Sequence, residues 1–355
     1  MPHPMSPTQI SKLQHHLHHW YNQNHRPMPW REIPNPAQNP YPIWLAEIML
    51  QQTTVAAVIP YYQRFMQTFP TVHALANAPL ATILHHWQGL GYYRRAHLLH
   101  QCAQYVSQQL NGTFPTTHSG LLALPGIGPY TASVIMATAY NQPATVVDGN
   151  VERVIARLFA IATPLPKAKP TITKHAAQLS CHQNPRIHAN AVMELGATLC
   201  TPQSPKCPQC PISTFCKAYK AKNPTNYPKK ITKKTLPRHQ ATAFLITDKQ
   251  GNIYLRQRPT KGLLASLWEL PHTGLPKDPP TPLPFNLTSH PVTRSSGHPV
   301  IQHTFTHFHL TLHLQTAQVQ TIPKENRFHP QKNLPPLSTL MLKALKQVLI
   351  TLKKP

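Results

Sequence analysis

Acidic residues are what this chain most lacks: its 355 residues hold nine Asp and Glu against 34 Lys and Arg, a formal charge of +25 with a pI near 10.1. An imbalance of that sign points to a polyanionic partner, most simply a nucleic acid. Charged residues are only 12% of the chain, however, so part of the imbalance is a general shortage of acids rather than a basic patch. YYRRAH (92–97) and KKITKK (229–234) are the more local basic clusters. Long apolar runs are absent too, which excludes a membrane-spanning helix, and MPHPMSPTQISKLQHHLHHW lacks the continuous apolar core of a secretory signal. A soluble intracellular protein is the expectation, cytoplasmic and nucleoid-associated in a bacterium. Cysteine is scarce: six in a chain this long do not make a disulfide framework. No internal repeat is found. The run HHLHH (15–19) reads as a solvated helix face in a chain with 24 histidines rather than as a metal site.

What is present divides the chain in two. From about Ser6 to Ala221, stretches such as VAAVIPYYQRFMQTF, AHLLHQCAQYVSQQL and VERVIARLFAIA carry apolar residues at helical spacing between Pro, Gly and Asn, so residues 1–222 are expected to form an all-α domain. Residues 223–238, polar, basic and broken by prolines, read as a linker. Beyond it ATAFLITD, NIYLRQRP and THFHLTLHLQT read as strands and PLSTLMLKALKQVLITL as a closing helix, which predicts an α+β domain over 239–355. The Pro-rich stretch from Leu275 to Pro284 reads as an exposed loop.

Three groups of residues carry chemistry. Cys200, Cys207, Cys210 and Cys216 are spaced C-x6-C-x2-C-x5-C, which suits a tetrahedral zinc or a cubane iron–sulfur cluster; one short C-x2-C between wider arms leans toward the larger cluster. Cys102 and Cys181 lie outside the pattern and read as packing residues. In LPGIGPYTA (124–132), Gly126 and Gly128 permit a tight turn before a helix with Pro129 in its first turn, either a DNA-phosphate site or a plain helix–helix turn. Two acids complete the set. Glu47 sits inside the apolar run YPIWLAEIMLQQTT, where Glu47, Gln51 and Thr54 would form one polar stripe on a helix, facing solvent or a cleft. Asp148, in VVDGN, opens the next helix and reads alone as a cap. Taken together they are the pair that glycosidic chemistry needs, an acid for the leaving group and an anion for the oxocarbenium-like sugar.

WLAEIMLQQT, WQGLGYYRRA, LPGIGPYTA, VVDGN and the four-cysteine loop, in this order, resemble the helix-hairpin-helix adenine DNA glycosylases of the MutY type. The likeness runs from about Trp20 to Ala221 and resumes at QHTFTHFHL (302–310), which resembles the loop of the family's Nudix-like C-terminal domain that recognises 8-oxoguanine. It implies a [4Fe–4S] cluster on the four cysteines, with Glu47 as the acid that protonates adenine, Asp148 as the carboxylate that steadies the sugar cation, and Tyr130 and Asn150 as supporting hydrogen-bonding residues. Gln52, Thr53, Leu90 and Tyr92 match residues that fill or probe the duplex around the lesion, and Phe305, Thr306 and His307 match the lesion reader. The resemblance implies a monomeric enzyme whose partner is double-stranded DNA with adenine opposite 8-oxoguanine or guanine. Endonuclease III, the sister family, places a Lys where Tyr130 stands, so a monofunctional glycosylase is expected rather than a glycosylase and lyase. A non-catalytic iron–sulfur DNA-binding protein is the reading from another class, opposed by the pairing of Glu47 with Asp148. KGLLASLWELP (261–271) resembles the region before a Nudix box, but no R-E-x-x-E-E segment follows, which argues against pyrophosphate hydrolysis. Two departures stand out: the family loop commonly reads Phe-Ser-His where this chain has Phe305, Thr306 and His307, and the segment between Trp30 and Tyr41 is longer than usual. Thr keeps the hydroxyl.

Overall fold

The computed structural model describes residues 5–231, 235–276, 299–319 and 327–352. Most of the expected Pro-rich loop and the last three residues of KKITKK lie outside them. Helices follow in the order α1 (Pro7–Asn24), α2 (Tyr41–Leu50), α3 (Val55–Thr68), α4 (Val72–Asn77), α5 (Leu80–Trp87), α6 (Arg94–Gln109), α7 (His118–Leu122) and α8 (Pro129–Val134). After α8 the chain makes a π-helical turn over Ile135–Ala139, then α9 (Gly149–Leu158), α10 (Lys169–Leu179), α11 (Pro185–Thr198) and the short α12 (Lys217–Lys220).

Local chemistry explains several of these limits. Ser6 and Gln9 form a reciprocal capping box, Oγ of Ser6 accepting from the Gln9 amide and Oε1 of Gln9 from the Ser6 amide, with Pro7 at the first helical position. The stripe expected over Glu47, Gln51 and Thr54 is not one helix: α2 ends at Leu50, Gln52 takes φ +56°, and Thr54 caps α3 by accepting from the Ala57 amide. All three side chains nevertheless reach one cleft. In α9, Val151, Val154, Ile155 and Leu158 recur at helical spacing and are buried with Leu13 and Leu17 of α1 and Leu195 of α11. Each such side chain removed from water contributes about 1.5–3 kcal/mol, enough to fix where α9 begins. His15, His16 and His19 of HHLHH are exposed as expected, while His18 meets His188 at 3.3 Å; Cys102 and Cys181 are buried.

The chain forms two compact units, Met1–Asn77 with Leu98–Lys233, and Ala78–His97 with Lys234–Pro355. Residues 78–97, which the sequence groups with the helical half, pack within the second of these units. Three hydrogen bonds give the physical reason: Tyr93 to the Leu337 carbonyl, the Leu337 amide to Gln88, and His97 to the Ala265 carbonyl.

Within this second unit lie β1 (Arg238–Thr247), β2 (Ile253–Tyr254), β3 (Arg256–Gln257), β4 (Trp268–Glu269), β5 (Val300–Thr304), β6 (His309–Gln318), β7 (Phe328–His329) and α13 (Thr339–Leu352). Five strands pair in the order β5-β6-β1-β2-β7, with β1 parallel to β6, and β3 and β4 form a separate pair. Ala241, Ala243 and Leu245 of β1 and Leu310, Leu312 and Leu314 of β6 alternate inward against Leu340, Met341, Ala344 and Leu345 of α13, the period-two pattern of a half-buried sheet meeting a helix. THFHLTLHLQT is strand only from His309. Its first residues form the turn after β5, closed by the Phe305 amide on the Phe308 carbonyl and by stacking of the two rings, which leaves Thr306 and His307 exposed.

Candidate active site

Three helix segments of the first unit bring their functional residues to one cleft of about 800 Å³: the middle of α2 with Glu47, the start of α8 with Tyr130, and the start of α9 with Asp148 and Asn150. That volume lies within the range of about 300–1,000 Å³ usual for ligand sites. Gln52, Thr53, Gly126 and Gly128 line the same cleft. Gly126 adopts φ +76°, and a Cβ there would fall 2.8 Å from Cβ of Leu98, so the turn before α8 tolerates no side chain at that position.

Nine of the ten residues of α2 are buried, Glu47 among them at 8% exposure. Burial is the main reason its carboxyl is raised to about 7; a hydrogen bond from Tyr130, donated to Oε2 at 3.2 Å, works against the rise, and the charge of Asp148 adds to it. Glu47 therefore keeps a proton near neutrality. Burial also raises Asp148, but the Val151 amide at 2.7 Å and the Asn150 amide nitrogen at 2.8 Å hold one carboxylate oxygen each and pull the other way. Asp148 is thus a helix cap and a pocket acid at once, and the two readings open in the sequence coexist.

Leu90, Tyr92, Phe305, Thr306 and His307 all lie in the second unit. Leu90 is buried, whereas Tyr92 stands 46% exposed with φ +47°. The hydroxyls of Thr306 and Tyr92 meet at 3.3 Å, so two side chains far apart in sequence share one surface.

Several further residues escaped the sequence reading. Glu194, fully buried on α11, accepts from Arg26 at 2.5 and 3.1 Å and from Arg31 at 2.9 Å, and all three line the cleft. Against the cost of burial, these guanidiniums hold Glu194 below the ordinary carboxylate value. The signal was available, since Glu194 is an acid inside the apolar stretch AVMELGATLC, as Glu47 is in its own. Arg153 and Arg157, a helical turn apart on α9, were also passed over. Arg153 donates to Asn150 Oδ1 at 2.9 Å, to the Gly196 carbonyl at 2.7 Å and to the Cys200 carbonyl at 2.7 Å. Arg157, 2% exposed, donates to the carbonyls of Thr201 at 2.7 Å, Pro202 at 3.0 Å and Tyr227 at 3.1 Å, and to Sγ of Cys200 at 3.3 Å.

Around that guanidinium the four-cysteine loop folds back on itself, with the Cys210 amide on the Cys207 carbonyl and the Cys216 amide on the Ser213 carbonyl. Among the described residues no three His, Cys, Asp or Glu side chains converge on the spacing of a single ion, where thiolates about 2.3 Å from a zinc would crowd together. The four thiols are still near enough to feel one another's charge. Burial first, opposed by a backbone hydrogen bond from Ile212 and reinforced by the neighbouring thiolates, raises Cys210 to about 12, so a bound cationic centre is what would hold these cysteines as thiolates.

Comparison with known proteins agrees with this geometry. Residues 45–179 match the family described as HhH-GPD superfamily base excision DNA repair protein, 200–216 the iron–sulfur binding domain of endonuclease III, and 242–347 the NUDIX domain. Adenine DNA glycosylase of Arabidopsis thaliana is 38% identical over 305 residues, 75% of this chain and 48% of that protein. The Homo sapiens protein of that name is 37% identical over 71% of this chain and 56% of its own length. That of Buchnera aphidicola subsp. Baizongia pistaciae is 34% identical over 71% of each. The chain therefore spans about half the length of the plant and human relatives. Among solved structures, a thermostable thymine-DNA glycosylase (TM-score 0.54, 26% identity) and an endonuclease III–DNA complex (TM-score 0.52, 25% identity) cover 60% and 61% of this chain and 98% of theirs. The cysteine loop at 200–216 is a [4Fe–4S] cluster site.

Proposed function

The chain belongs to the adenine DNA glycosylase family, and on the geometry of its cleft we propose that it removes adenine mispaired with 8-oxoguanine or guanine by hydrolysing the N-glycosidic bond of a flipped base. The observation that carries the reading is the pairing of a buried, proton-holding Glu47 with an Asp148 whose anion is braced by two donors. Glu47 donates its proton to the adenine ring, so the base leaves neutral as the bond between C1′ and the base nitrogen breaks. Asp148 balances the positive charge that develops on the sugar. Water then supplies the hydroxyl at C1′, and its proton restores Glu47. Tyr130 holds Glu47 in place and offers no amine for a Schiff base, so strand cleavage is not part of the reaction.

Double-stranded DNA is the polyanion that a chain with a charge of +25 would meet, and the endonuclease III relative was solved with DNA bound. A mispaired adenine stacks and pairs less well than a matched one, which lowers the few kcal/mol needed to extrude it. The cluster holds the loop that carries it, beside Lys217, Lys220 and Lys222, a basic stretch suited to phosphates. The enzyme would work as a monomer wherever the chromosome lies. A duplex assay tests the whole reading: adenine released opposite 8-oxoguanine and opposite guanine, with nicking only after alkali, is expected. Nicking without alkali would instead indicate a lyase, and binding without release a non-catalytic protein.

A further inference from the structure

Leu337 has both of its backbone groups engaged by the segment 88–93. Its amide donates to Oε1 of Gln88 at 3.1 Å, and its carbonyl accepts from the buried hydroxyl of Tyr93 at 3.1 Å. The same hydroxyl accepts from the Gly89 amide at 3.3 Å, so one oxygen both closes the loop on itself and ties it to the main chain just before α13. A hydroxyl has one proton to give and lone pairs to receive with, and here both capacities are used. At the tip of the segment thus held, Tyr92 adopts a left-handed backbone, φ +47°, that a bulky side chain rarely visits unless its surroundings impose it. It is there that Tyr92 meets Thr306 at 3.3 Å.

We propose that Tyr93 is a positioning residue for lesion reading: its hydroxyl, with Gln88, clasps Leu337 so that Tyr92 and Thr306 form one composite reader. The inference rests on the glycosylase reading above. The clasp removes from the segment a freedom that would otherwise have to be lost on meeting DNA, and preorganisation of this kind favours the lesion over the normal base because only the lesion uses both side chains.

The test is single-turnover adenine release by Tyr93→Phe, measured opposite 8-oxoguanine and opposite guanine in matched duplexes at one salt concentration, together with hydrogen exchange of the amides at 89–92. Phe keeps the ring and removes only the hydroxyl. The rate opposite 8-oxoguanine is expected to fall about threefold to tenfold, the loss of one buried hydrogen bond, while the rate opposite guanine stays within about twofold and the loop amides exchange faster. A wild-type ratio of the two rates, or an equal fall in both, would overturn the proposal, because a purely structural role scales both substrates alike. Gln88→Leu removes the other arm and is held to the same outcomes, so a Tyr93→Phe protein that failed to fold would not decide the matter. If the wild type shows no preference for the lesion, the functional reading fails, and the exchange rates then judge the clasp by themselves: unchanged exchange in both variants overturns it.

Discussion

Asp148 and Cys200 are joined by two side chains: Asn150 donates to the Asp148 carboxylate at 2.8 Å, and Arg153 bridges the Asn150 side-chain oxygen at 2.9 Å to the Cys200 carbonyl at 2.7 Å. The cysteine loop at Cys200 and the pocket acid Asp148 are therefore positioned by one guanidinium. A fork with several fixed donors can do this, whereas the single ammonium of a lysine cannot span the same partners. Arg153→Lys is expected to lower adenine release about tenfold to a hundredfold, the range for hydrogen bonds to a charged group, while iron per protein stays near the wild-type value. Single-turnover rates beside iron analysis check this, and an unchanged rate would count against the bridge.

The two pocket acids set the pH dependence. Glu47 must hold its proton, and with burial raising it to about 7, release should fall about tenfold per pH unit above that value. Asp148 must be ionised, so release should also fall on the acid side, where it gains a proton. Because Glu47 feels the charge of Asp148, the alkaline limb depends on both acids rather than on Glu47 alone. A bell-shaped profile under single-turnover conditions is expected, and Glu47→Gln should abolish all but a residual rate without an alkaline limb.

Stability follows the same acid with a definite sign. Glu47 binds its proton more tightly in the folded chain, about 7, than at its ordinary 4.5, so its favourable contribution is full below about 4.5 and is lost as pH rises to about 7. Above that, a buried carboxylate destabilises the fold by an amount on the order of 3 kcal/mol at most. Glu47→Gln should accordingly raise Tm at pH 8 and change it little at pH 4. Equal shifts at both values would show that packing, not charge, governs the site.

The parts legible in the sequence were those written in short range. Helical periodicity, Gly126 before α8, the cap at Asp148 and the cysteine spacing are local patterns, and each appears in the structure near its expected place. The parts that were not legible depend on partners distant in the chain. Nothing near Glu194 announces Arg26 and Arg31, and nothing in WQGLGYYRRA announces that Gln88 and Tyr93 reach Leu337. The stripe over Glu47, Gln51 and Thr54 failed for a local reason: periodicity continues through Leu50, but the left-handed backbone at Gln52 ends the helix, and a polar side chain gives no warning of that conformation.

The remaining prediction concerns which part of the chain reads the lesion. Adenine opposite 8-oxoguanine and adenine opposite guanine present the same base to Glu47 and Asp148, so these two acids cannot tell them apart. The oxidised guanine differs from guanine by a carbonyl at C8 and a proton on N7, which call for a donor and an acceptor. The exposed turn after β5 offers a hydroxyl at Thr306 and an imidazole at His307, and the stacked Phe305 and Phe308 rings beneath them keep the turn closed. The Thr306 hydroxyl is already within 3.3 Å of Tyr92, so it is held toward the same surface rather than free to rotate away. Thr306→Ala combined with His307→Ala should retain adenine release opposite guanine and lose most of the preference for 8-oxoguanine, since discrimination by hydrogen bonds of this kind is worth about 1–3 kcal/mol, roughly fivefold to a hundredfold. Release rates in matched duplexes at the same salt decide it. If the double variant keeps the wild-type ratio, the turn does not read the lesion, and discrimination must come from the residues lining the helical cleft, with Gln52 and Thr53 the first to substitute.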